Sequence, residues 1–373
     1  MIIKQALVFL NGQFAKTDVR VENGVIAEIG TLEATGDVAD GEGKLLLPGL
    51  LEIHSHGCVG EDFSTSDEKG VEKMRRYYLE NGITSVLATT MTEEPGRLRR
   101  AMETIDRAAK GTSEGCRILG INMEGPFLSP AKKGAHDEQY LKAPSAELLE
   151  ELDALSGHRI KLVDLAPELP GGMDFIHQYA GKKVLSLAHT GIGYDEAIAA
   201  FDAGANHVTH LFNAMNDPKH REPGIVGAVC DRENVFAEFI CDGIHNHPSI
   251  IRMMFAACPK KLVLISDSMS ACGMPDGNYE LGGLAVTVQN GKATLKDGTI
   301  AGSAVNVFTC MKRAVSFGVP LEQAVAAATQ NPAKSIGVSD QYGVIRPGAA
   351  ADLLLTTPDL ALCQVWLGGV PQK

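Results

Sequence analysis

Apolar runs alternate with helical segments through the middle of the chain, from about residue 45 to residue 330. Short apolar runs bounded by turn residues predict buried strands. Eight of them follow in the order LLLPGLLEIHSHG, ITSVLATT, RILGINMEGPF, IKLVDLAPE, KVLSLAH, HVTHLF, VFAEFICDG and KLVLISDS. Helical segments lie between them at 67–81, 94–110, 145–157, 172–181, 194–203 and 248–257. This alternation predicts parallel strands with right-handed crossovers, and eight units predict an α/β fold of the (β/α)8 type, a TIM-like barrel.

The two ends of the chain show a different, β-rich pattern. VRVENGVIAEIG predicts a hairpin with Asn23-Gly24 at its tip, and YGVIRPGAAADLLLTT and CQVWLGGVPQK near the carboxyl terminus are strand-like. We therefore predict a small β-sandwich domain formed by residues 1–47 and 345–373, with the barrel inserted between them at 48–344. Residues 277–300 predict a hairpin excursion after the eighth barrel strand.

Composition and charge narrow the classes of partner. The chain has 373 residues, of which 45% are hydrophobic, so it can bury a large core. The formal net charge of -12 argues against nucleic acid and anionic membranes as partners. No apolar run reaches the length of a membrane span, and the start of the chain does not have the pattern of a signal peptide. Eight scattered cysteines without a CxxC pair are typical of a reducing compartment, so we expect a soluble cytoplasmic protein.

Polar residues stand where the predicted barrel strands end. In such barrels the chemistry gathers at the carboxyl ends of the strands. His54 and His56 end the first strand, and their spacing puts both imidazoles on one face. The others, on or after the third, fifth, sixth, seventh and eighth strands, are Glu124, His189, His210, Asp242 with His245, and Asp267.

This set of residues predicts a metal centre. Each histidine alone is compatible with a core or loop position, but four histidines and a carboxylate on four strand ends are far more specific. Imidazole and carboxylate ligands suit a catalytic Zn²⁺, Fe²⁺, Mn²⁺ or Co²⁺. Asp267 is the candidate proton shuttle, with a turn or helix cap in SDSM as the alternative. Cys58 is a further candidate ligand, although its position favours a packed thiol.

These residues resemble a known family. PGLLEIHSHG after an amino-terminal β-segment is similar to the opening signature of the amidohydrolase superfamily. Most members carry a bridging lysine on the fourth strand, but Lys161 lies at the wrong end of that strand, and Glu124 can take the role instead. With MEGPF, the chain resembles the N-acetylglucosamine-6-phosphate deacetylases in particular. Other segments match that family nearly throughout the chain: KKGAH, AHTGIGYDEA, THLFNAMN, REPGIVGAV, ICDGIHNHP, LISDSMSACG and DGTIAGS.

The resemblance implies a role for each matching position. Glu124, His189 and His210 would hold the principal metal, and the His54/His56 pair would allow a second ion beside Glu124. Asp267 would be the catalytic acid and base, while Asp242 and His245 would bind the substrate, with His245 in contact with the acetamide carbonyl. The remaining substrate-binding residues would be Ala135 and His136 near the sugar, Asn213, Ala214 and Arg221 at the phosphate, and Ile300, Ala301 and Gly302 along the pocket.

The expected activity is hydrolysis of the N-acetyl group of N-acetylglucosamine 6-phosphate to glucosamine 6-phosphate and acetate, with one or two divalent ions, zinc first. Alternatives are N-acetylgalactosamine 6-phosphate, another N-acyl or cyclic amide substrate, and a non-catalytic barrel scaffold. Arg221, beside Lys219 and His220, suits a bidentate phosphate contact, and a solvated basic loop is the alternative. In the family this arginine can reach a neighbouring subunit, which implies a homodimer or a higher homo-oligomer.

Overall fold

The structure, a computed structural model, describes residues 1–34, 36–111 and 114–372. Its strands in chain order are β1 (Ile2–Leu10), β2 (Gln13–Glu22), β3 (Val25–Gly30), β4 (Val38–Asp40), β5 (Leu45–Pro48), β6 (Leu50–Glu52), β7 (Gly57–Cys58), β8 (Glu61–Asp62), β9 (Ile83–Thr90), β10 (Arg117–Met123), β11 (Ile160–Leu165), β12 (Val184–Leu187), β13 (His207–Val208), β14 (Phe236–Ile240), β15 (Leu262–Ile265), β16 (Gly277–Leu281), β17 (Leu284–Gln289), β18 (Lys292–Thr294), β19 (Leu353–Thr356), β20 (Leu362–Leu367) and β21 (Val370–Pro371).

The α-helices in chain order are α1 (Glu68–Glu80), α2 (Pro95–Lys110), α3 (Ala146–Leu155), α4 (Gly172–Tyr179), α5 (Tyr194–Ala203), α6 (Gly224–Asp231), α7 (Pro248–Ala257), α8 (Val307–Ser316), α9 (Leu321–Ala328) and α10 (Gln330–Ser335). Within the described ranges, no helix is both long and apolar enough to cross a membrane.

Eight parallel strands form the predicted barrel. Their order is β15-β14-β13-β12-β11-β10-β9-β6, and every predicted apolar run contributes one of them. A parallel bridge between Ser55 and Ser268 joins the segments that follow the first and last strands. The Asp267 N–H also donates to the His54 carbonyl oxygen over 3.0 Å. These contacts close the barrel just where the polar residues lie, and the predicted fold class is confirmed.

The six predicted helical segments are all helices, namely α1 to α5 and α7. Helices α6 and α8 to α10 are additional to the predicted segments. The last three helices contact both β6 and β15, so they cover the outside of the barrel where its first and last strands meet. These three helices follow the 277–300 excursion in the chain. They bring the chain back to the barrel before it continues into the terminal sheet.

Both ends of the chain share one curved sheet. Its order is β21-β20-β19-β5-β1-β2-β3, and β4 also pairs with β1. A bridge between Val25 and Ala350 brings the β3 edge next to the segment before β19, so the sheet folds over its own core. The strand-like segment from Tyr342 onward forms a strand only at β19. Before β19 its backbone bonds to Ile26 of β3 and to its own turns at Gln341 and Arg346, so it does not form a continuous strand. The domain boundaries given above stay a prediction.

The excursion after β15 is a three-stranded antiparallel sheet, one strand more than the predicted hairpin. Two-residue turns at Gly282-Gly283 and Asn290-Gly291 connect its strands, and all four residues have positive φ. Such turns favour glycine and asparagine. The apolar side of this sheet packs against Met91 and Met269 of the barrel. It therefore forms one wall above the carboxyl ends of the barrel strands.

Candidate active site

The carboxyl ends of the barrel strands open into a cavity of about 280 Å³. Glu124 follows β10, His189 follows β12, His210 follows β13 and Asp267 follows β15. The last three have φ values of 44°, 28° and 50°, in the left-handed region that side-chain-bearing residues rarely adopt. Such strain costs about 1–3 kcal/mol per residue and gathers at functional sites. Here the three strained residues are those whose side chains point from the strand ends into the cavity.

The carboxylate of Glu124 lies between two groups of imidazoles. Its Oε1 is 3.0 Å from His210 Nε2 and 3.1 Å from His189 Nε2. Its Oε2 is 3.1 Å from His56 Nε2 and 3.4 Å from His136 Nε2. One buried carboxylate thus faces ligands from both halves of the site, which is the geometry that a bridging ligand requires.

Asp267 lies next to His54 and His56, the two histidines that follow the first barrel strand. Its Oδ1 lies 3.2 Å from His56 Nε2 and 3.6 Å from His54 Nε2. His54 Nε2 is buried and has no hydrogen-bond partner among the described residues. Across the site, the Nε2 atoms of His189 and His210 face each other at 3.1 Å. Two ring nitrogens at this distance can share at most one proton between them, which favours a cation bound by their lone pairs.

The donor set fits a divalent metal ion. Three groups of side chains bring their donor atoms within 4.8 Å of one another: His54, His56 and Asp267; Glu124, His136 and His189; and His54, Glu124 and Asp164. All are nitrogen or carboxylate donors, as catalytic zinc and related ions use. The free thiol of Cys58 is buried, with its Sγ 3.9 Å from the Met74 carbonyl oxygen, as expected of a packed cysteine.

The electrostatics favour a bound cation. Burial raises the pKa of Glu124, but His54 and His136 outweigh it and hold that pKa well below its usual value. Burial also raises the pKa of Asp267, yet His56 and His54 lower it to about 2. Burial lowers the pKa of His189 to about 4. Near neutral pH both carboxylates are therefore ionised and this imidazole is neutral, which are the forms that ligate a metal.

Second ring nitrogens hold several imidazoles in place. His189 Nδ1 is 2.8 Å from the Lys132 carbonyl oxygen, and His136 Nδ1 is 2.9 Å from Thr92 Oγ1. His245 Nδ1 is 2.7 Å from Asp242 Oδ2, so its Nε2 is the ring nitrogen left to act in the cavity. Hydrogen bonds of this kind fix both the orientation and the tautomer of a catalytic imidazole.

Most of the predicted site residues line the same cavity. They are His56, Glu124, Ala135, His136, His189, His210, Asn213, Ala214, His245, Asp267, Ile300 and Gly302. His54 and Asp242 lie behind that surface. His54 is hydrogen-bonded to the buried carboxylate of Glu238, and Asp242 is hydrogen-bonded to His245. Ala301 is fully buried in the core beneath the excursion. Arg221 lies elsewhere, exposed in a surface depression with Lys132, Tyr194 and Lys219.

Four lining residues were not predicted, namely Met91, Gly134, Leu281 and Thr299. Gly134 has a φ of 56°, and a Cβ there would lie 3.0 Å from His189 Cε1. The glycine of KKGAH therefore allows the loop to approach the His189 imidazole. The presence of glycine in this motif is the one sequence signal for that close approach. Met91 and Leu281 are apolar residues whose exposure to the cavity depends on tertiary packing, so no local pattern indicates them.

A closed parallel barrel with imidazoles and carboxylates converging on one cavity defines a class, the barrel hydrolases with a metal centre. Comparison with known proteins agrees with this class. The model of the amidohydrolase family matches residues 45–370, so the chain belongs to the amidohydrolase family.

Several relatives are similar over most of their length. An N-acetylglucosamine-6-phosphate deacetylase of Bacillus subtilis is 37% identical over 330 residues, covering 87% of this chain and 83% of that protein. An N-acetylgalactosamine-6-phosphate deacetylase of Escherichia coli O157:H7 is 32% identical over 353 residues, covering 94% and 93%. The structure of a mutant N-acetyl-D-glucosamine-6-phosphate deacetylase from Mycobacterium smegmatis, in complex with N-acetyl-D-glucosamine-6-phosphate, superposes with a TM-score of 0.91 at 31% identity. It covers 100% of this chain and 98% of that one.

Proposed function

We propose that the protein is a metal-dependent deacetylase that hydrolyses N-acetylglucosamine 6-phosphate to glucosamine 6-phosphate and acetate. The observation that carries the proposal is the position of Glu124, within 3.1 Å of His189, His210 and His56 in a cavity that also holds Asp267. The names of the Bacillus and Mycobacterium relatives support this substrate.

In this proposal Glu124, His189 and His210 would hold the principal metal ion. His54 and His56 would hold a second ion beside Glu124. Zinc suits these donors best, and Fe²⁺, Mn²⁺ or Co²⁺ use the same set. When bound, such an ion polarises the amide carbonyl and lowers the pKa of a water molecule.

The side chains of the chain move the protons. Asp267, ionised at neutral pH, accepts a proton from the attacking water as the new carbon–oxygen bond forms. It then donates that proton to the amine nitrogen as the carbon–nitrogen bond breaks, which releases acetate and the free amino sugar. His245 donates a hydrogen bond from Nε2 to the carbonyl oxygen, where negative charge develops, while Asp242 holds its other nitrogen.

The rest of the cavity binds the sugar and its phosphate. The backbone at Asn213 and Ala214 receives the phosphate, while Ala135, His136 and the segment Ile300 to Gly302 surround the sugar. Arg221 is absent from this cavity and exposed on the same subunit. We infer that the protein is a homodimer in which Arg221 completes the phosphate site of the neighbouring subunit. An acidic protein needs such a local cation to attract an anionic substrate.

A second candidate substrate is N-acetylgalactosamine 6-phosphate. The similarity to the Escherichia coli relative, over 94% of this chain, favours it specifically. The two sugars differ in the orientation of one hydroxyl group, and both share the amide and the phosphate that the proposed groups would bind.

The test combines metal analysis with a substrate panel. Purified protein is analysed for divalent metals, and acetate release is measured with both phosphorylated sugars and with unphosphorylated N-acetylglucosamine. We expect stoichiometric metal and a strong preference for a phosphorylated sugar, with the glucosamine epimer first. Metal-loaded protein that releases acetate from neither phosphorylated sugar would overturn the proposal, and equal rates without phosphate would contradict the role of Arg221.

A further inference from the structure

A buried carboxylate lies directly beneath the candidate metal centre. Glu238 is in the middle of barrel strand β14, with the apolar residues Ala237 and Phe239 on either side, and it is fully buried. Burying an ionised carboxylate costs several kcal/mol unless strong hydrogen bonds compensate. The proposed chemistry does not use Glu238, so its contacts must account for its place in the barrel.

One oxygen of Glu238 contacts two of the proposed ligand residues. Its Oε2 is 2.8 Å from His54 Nδ1 and accepts a hydrogen bond from the His210 backbone N–H at 3.2 Å. The Glu238 carbonyl oxygen also accepts the next backbone N–H, from Leu211, at 2.8 Å. Ligands from the first and sixth barrel strands, 156 residues apart in the chain, are thereby held by one side chain.

The contact with His54 decides which nitrogen faces the site. A carboxylate accepts, so Nδ1 carries a proton that it donates to Glu238, and Nε2 is the ring nitrogen that faces the site. Among the described residues that Nε2 is buried without a hydrogen-bond partner, 3.5 Å from Glu124 Oε1 and 3.6 Å from Asp267 Oδ1. His189 uses a backbone carbonyl oxygen for the same purpose, which is a weaker acceptor than a charged carboxylate.

The contact with His210 acts on the backbone. The φ of His210 is 28°, a strained value for a residue with a side chain. Hydrogen bonds from the N–H groups of His210 and Leu211 to Glu238 hold this turn, and thereby aim the imidazole at Glu124.

We propose that Glu238 is a positioning residue for the metal centre, because it fixes the His54 tautomer and the His210 backbone at the same time. The inference rests on the proposed metal-dependent function. Partners of metal-binding histidines typically change metal affinity by about 10–100-fold when they are replaced. Metal affinity, rather than catalytic rate alone, is therefore the quantity that the role predicts will change.

The neighbouring polar network supplies a matched control. Ser186, also fully buried, has its Oγ 2.6 Å from Thr209 Oγ1 and 3.1 Å from His207 Nδ1. It contacts none of the proposed ligands. Ser186→Ala therefore removes buried hydrogen bonds from the same layer of the barrel without touching His54 or His210.

The experiment titrates the metal-free protein with Co²⁺ and follows the visible absorption of the bound ion. Glu238→Asp keeps the charge but withdraws the carboxylate by one methylene, and we expect it to weaken Co²⁺ binding by about 10–100-fold. Glu238→Gln keeps an acceptor oxygen in place, so we expect a smaller loss. Ser186→Ala should bind as the wild type does. Circular dichroism of each metal-free variant checks that the fold is retained.

The outcomes separate this inference from the proposed function. Wild-type affinity in Glu238→Asp overturns the positioning role, and so does an equal loss of affinity in Ser186→Ala. If Glu238→Asp does not fold, a Glu238→Gln variant that loses affinity or alters the Co²⁺ spectrum supports the role, and one identical to the wild type overturns it. Wild-type protein that binds no Co²⁺, Zn²⁺, Mn²⁺ or Fe²⁺ overturns the metal-dependent function itself.

Discussion

Asp267 combines a strained backbone, an ionised carboxylate and a place beside two imidazoles. Its pKa of about 2 follows from burial, which raises it, and from the stronger opposing effect of His56 and His54. It can therefore begin the reaction as a base. Asp267→Asn keeps the shape and removes this base, so we expect a loss of about 10²–10⁴-fold in turnover, with fold and metal content retained. Acetate release and metal analysis on the same preparation measure both. An Asn variant that keeps more than a few per cent of the wild-type activity would refute the assigned role.

The hydrogen bond between Asp242 and His245 predicts a pH effect. Burial lowers the pKa of His245, but the hydrogen bond and charge of Asp242 outweigh it and raise that pKa above its usual value. His245 thus stays protonated to a higher pH than a free imidazole, and in the proposed mechanism this is the form that stabilises the developing oxyanion. Asp242→Asn removes the charge, so the pKa falls and the alkaline decline of kcat/KM should move to lower pH. The pH profile of the variant measures this shift. An unchanged alkaline decline would show that His245 does not titrate in that limb.

At this scale the sequence indicated most of the site, but not its support. HxH spacing and strand-end positions were enough to select His54, His56, Glu124, His189 and His210, because strand ends in a barrel converge. The groups that orient the imidazoles come from loops that no local pattern connects to the histidines. The Lys132 carbonyl oxygen bonds to His189, and Thr92 bonds to the neighbouring His136. Glu238 is visible in the sequence as the single carboxylate within the apolar run VFAEFI. It lies in the middle of a strand, so a search of strand ends does not find it.

Within the terminal sheet, one aspartate stabilises an irregular strand pair. The pairing of β1 with β2 shifts register between Ile3 and Ala6, where Gln5 has a φ of 59°. The buried carboxylate of Asp18 accepts the backbone N–H groups of Gln5 and Leu32 at 2.8 and 2.9 Å and the Lys4 ammonium at 2.7 Å. Each hydrogen bond to a charged group contributes about 1.5–3 kcal/mol to the free energy of unfolding.

Asp18→Asn should therefore destabilise the sheet in a pH-dependent way. Burial raises the pKa of Asp18, but the hydrogen bond from Leu32 and the contact with Lys4 outweigh it, so the pKa is lower in the folded state. The stabilisation is thus present above the unfolded-state pKa, about 3.9, and is lost as the pH falls through the folded value. We expect a lower thermal midpoint than wild type near neutral pH and a shrinking difference in acid. Glu28→Gln, at an exposed ion pair with Arg20, is the control and should change little. A difference that is constant with pH would contradict the account.

The elements show which patterns carry information. The barrel strands are short apolar runs between turns, so each of the eight could be located from the sequence. The pattern of 277–300 predicts one hairpin, and the structure adds a third strand after the turn at Asn290-Gly291. The strands of this sheet are partly polar because they face the solvent on one side, so their apolar pattern is weak. The segment before β19 has strand-like composition, yet it meets β3 through an isolated bridge at Ala350 and otherwise bonds within its own turns, since strand pairing is a tertiary property.

At the scale of the whole molecule, the proposed homodimer accounts for the position of Arg221 outside the cavity of its own subunit. The cavity with Glu124 contains no Arg221, and the guanidinium Nη1 lies 2.6 Å from His220 Nε2 on the exposed surface of its own subunit. Fold class and active-site cavity followed from one chain because strand ends within a barrel must meet. The barrel of one chain does not constrain a residue that acts in a neighbouring subunit. The role of such a residue can therefore be predicted only from resemblance to a family, not from the pattern of the chain itself.

Mixed dimers test whether Arg221 acts across the interface. Arg221→Ala alone should lower kcat/KM for the phosphorylated sugar by about tenfold to a hundredfold, because a charged contact to the phosphate is lost. Asp267→Asn alone should be inactive. In a mixed dimer, the subunit with Asp267 receives Arg221 from its partner, so one site is complete, whereas the other lacks both groups. Random assembly makes about half of the dimers mixed, so co-refolding the two variants should restore about a quarter of the wild-type activity. If Arg221 acted within its own subunit, no mixed dimer would contain a complete site, and activity would stay at the mean of the two parent variants.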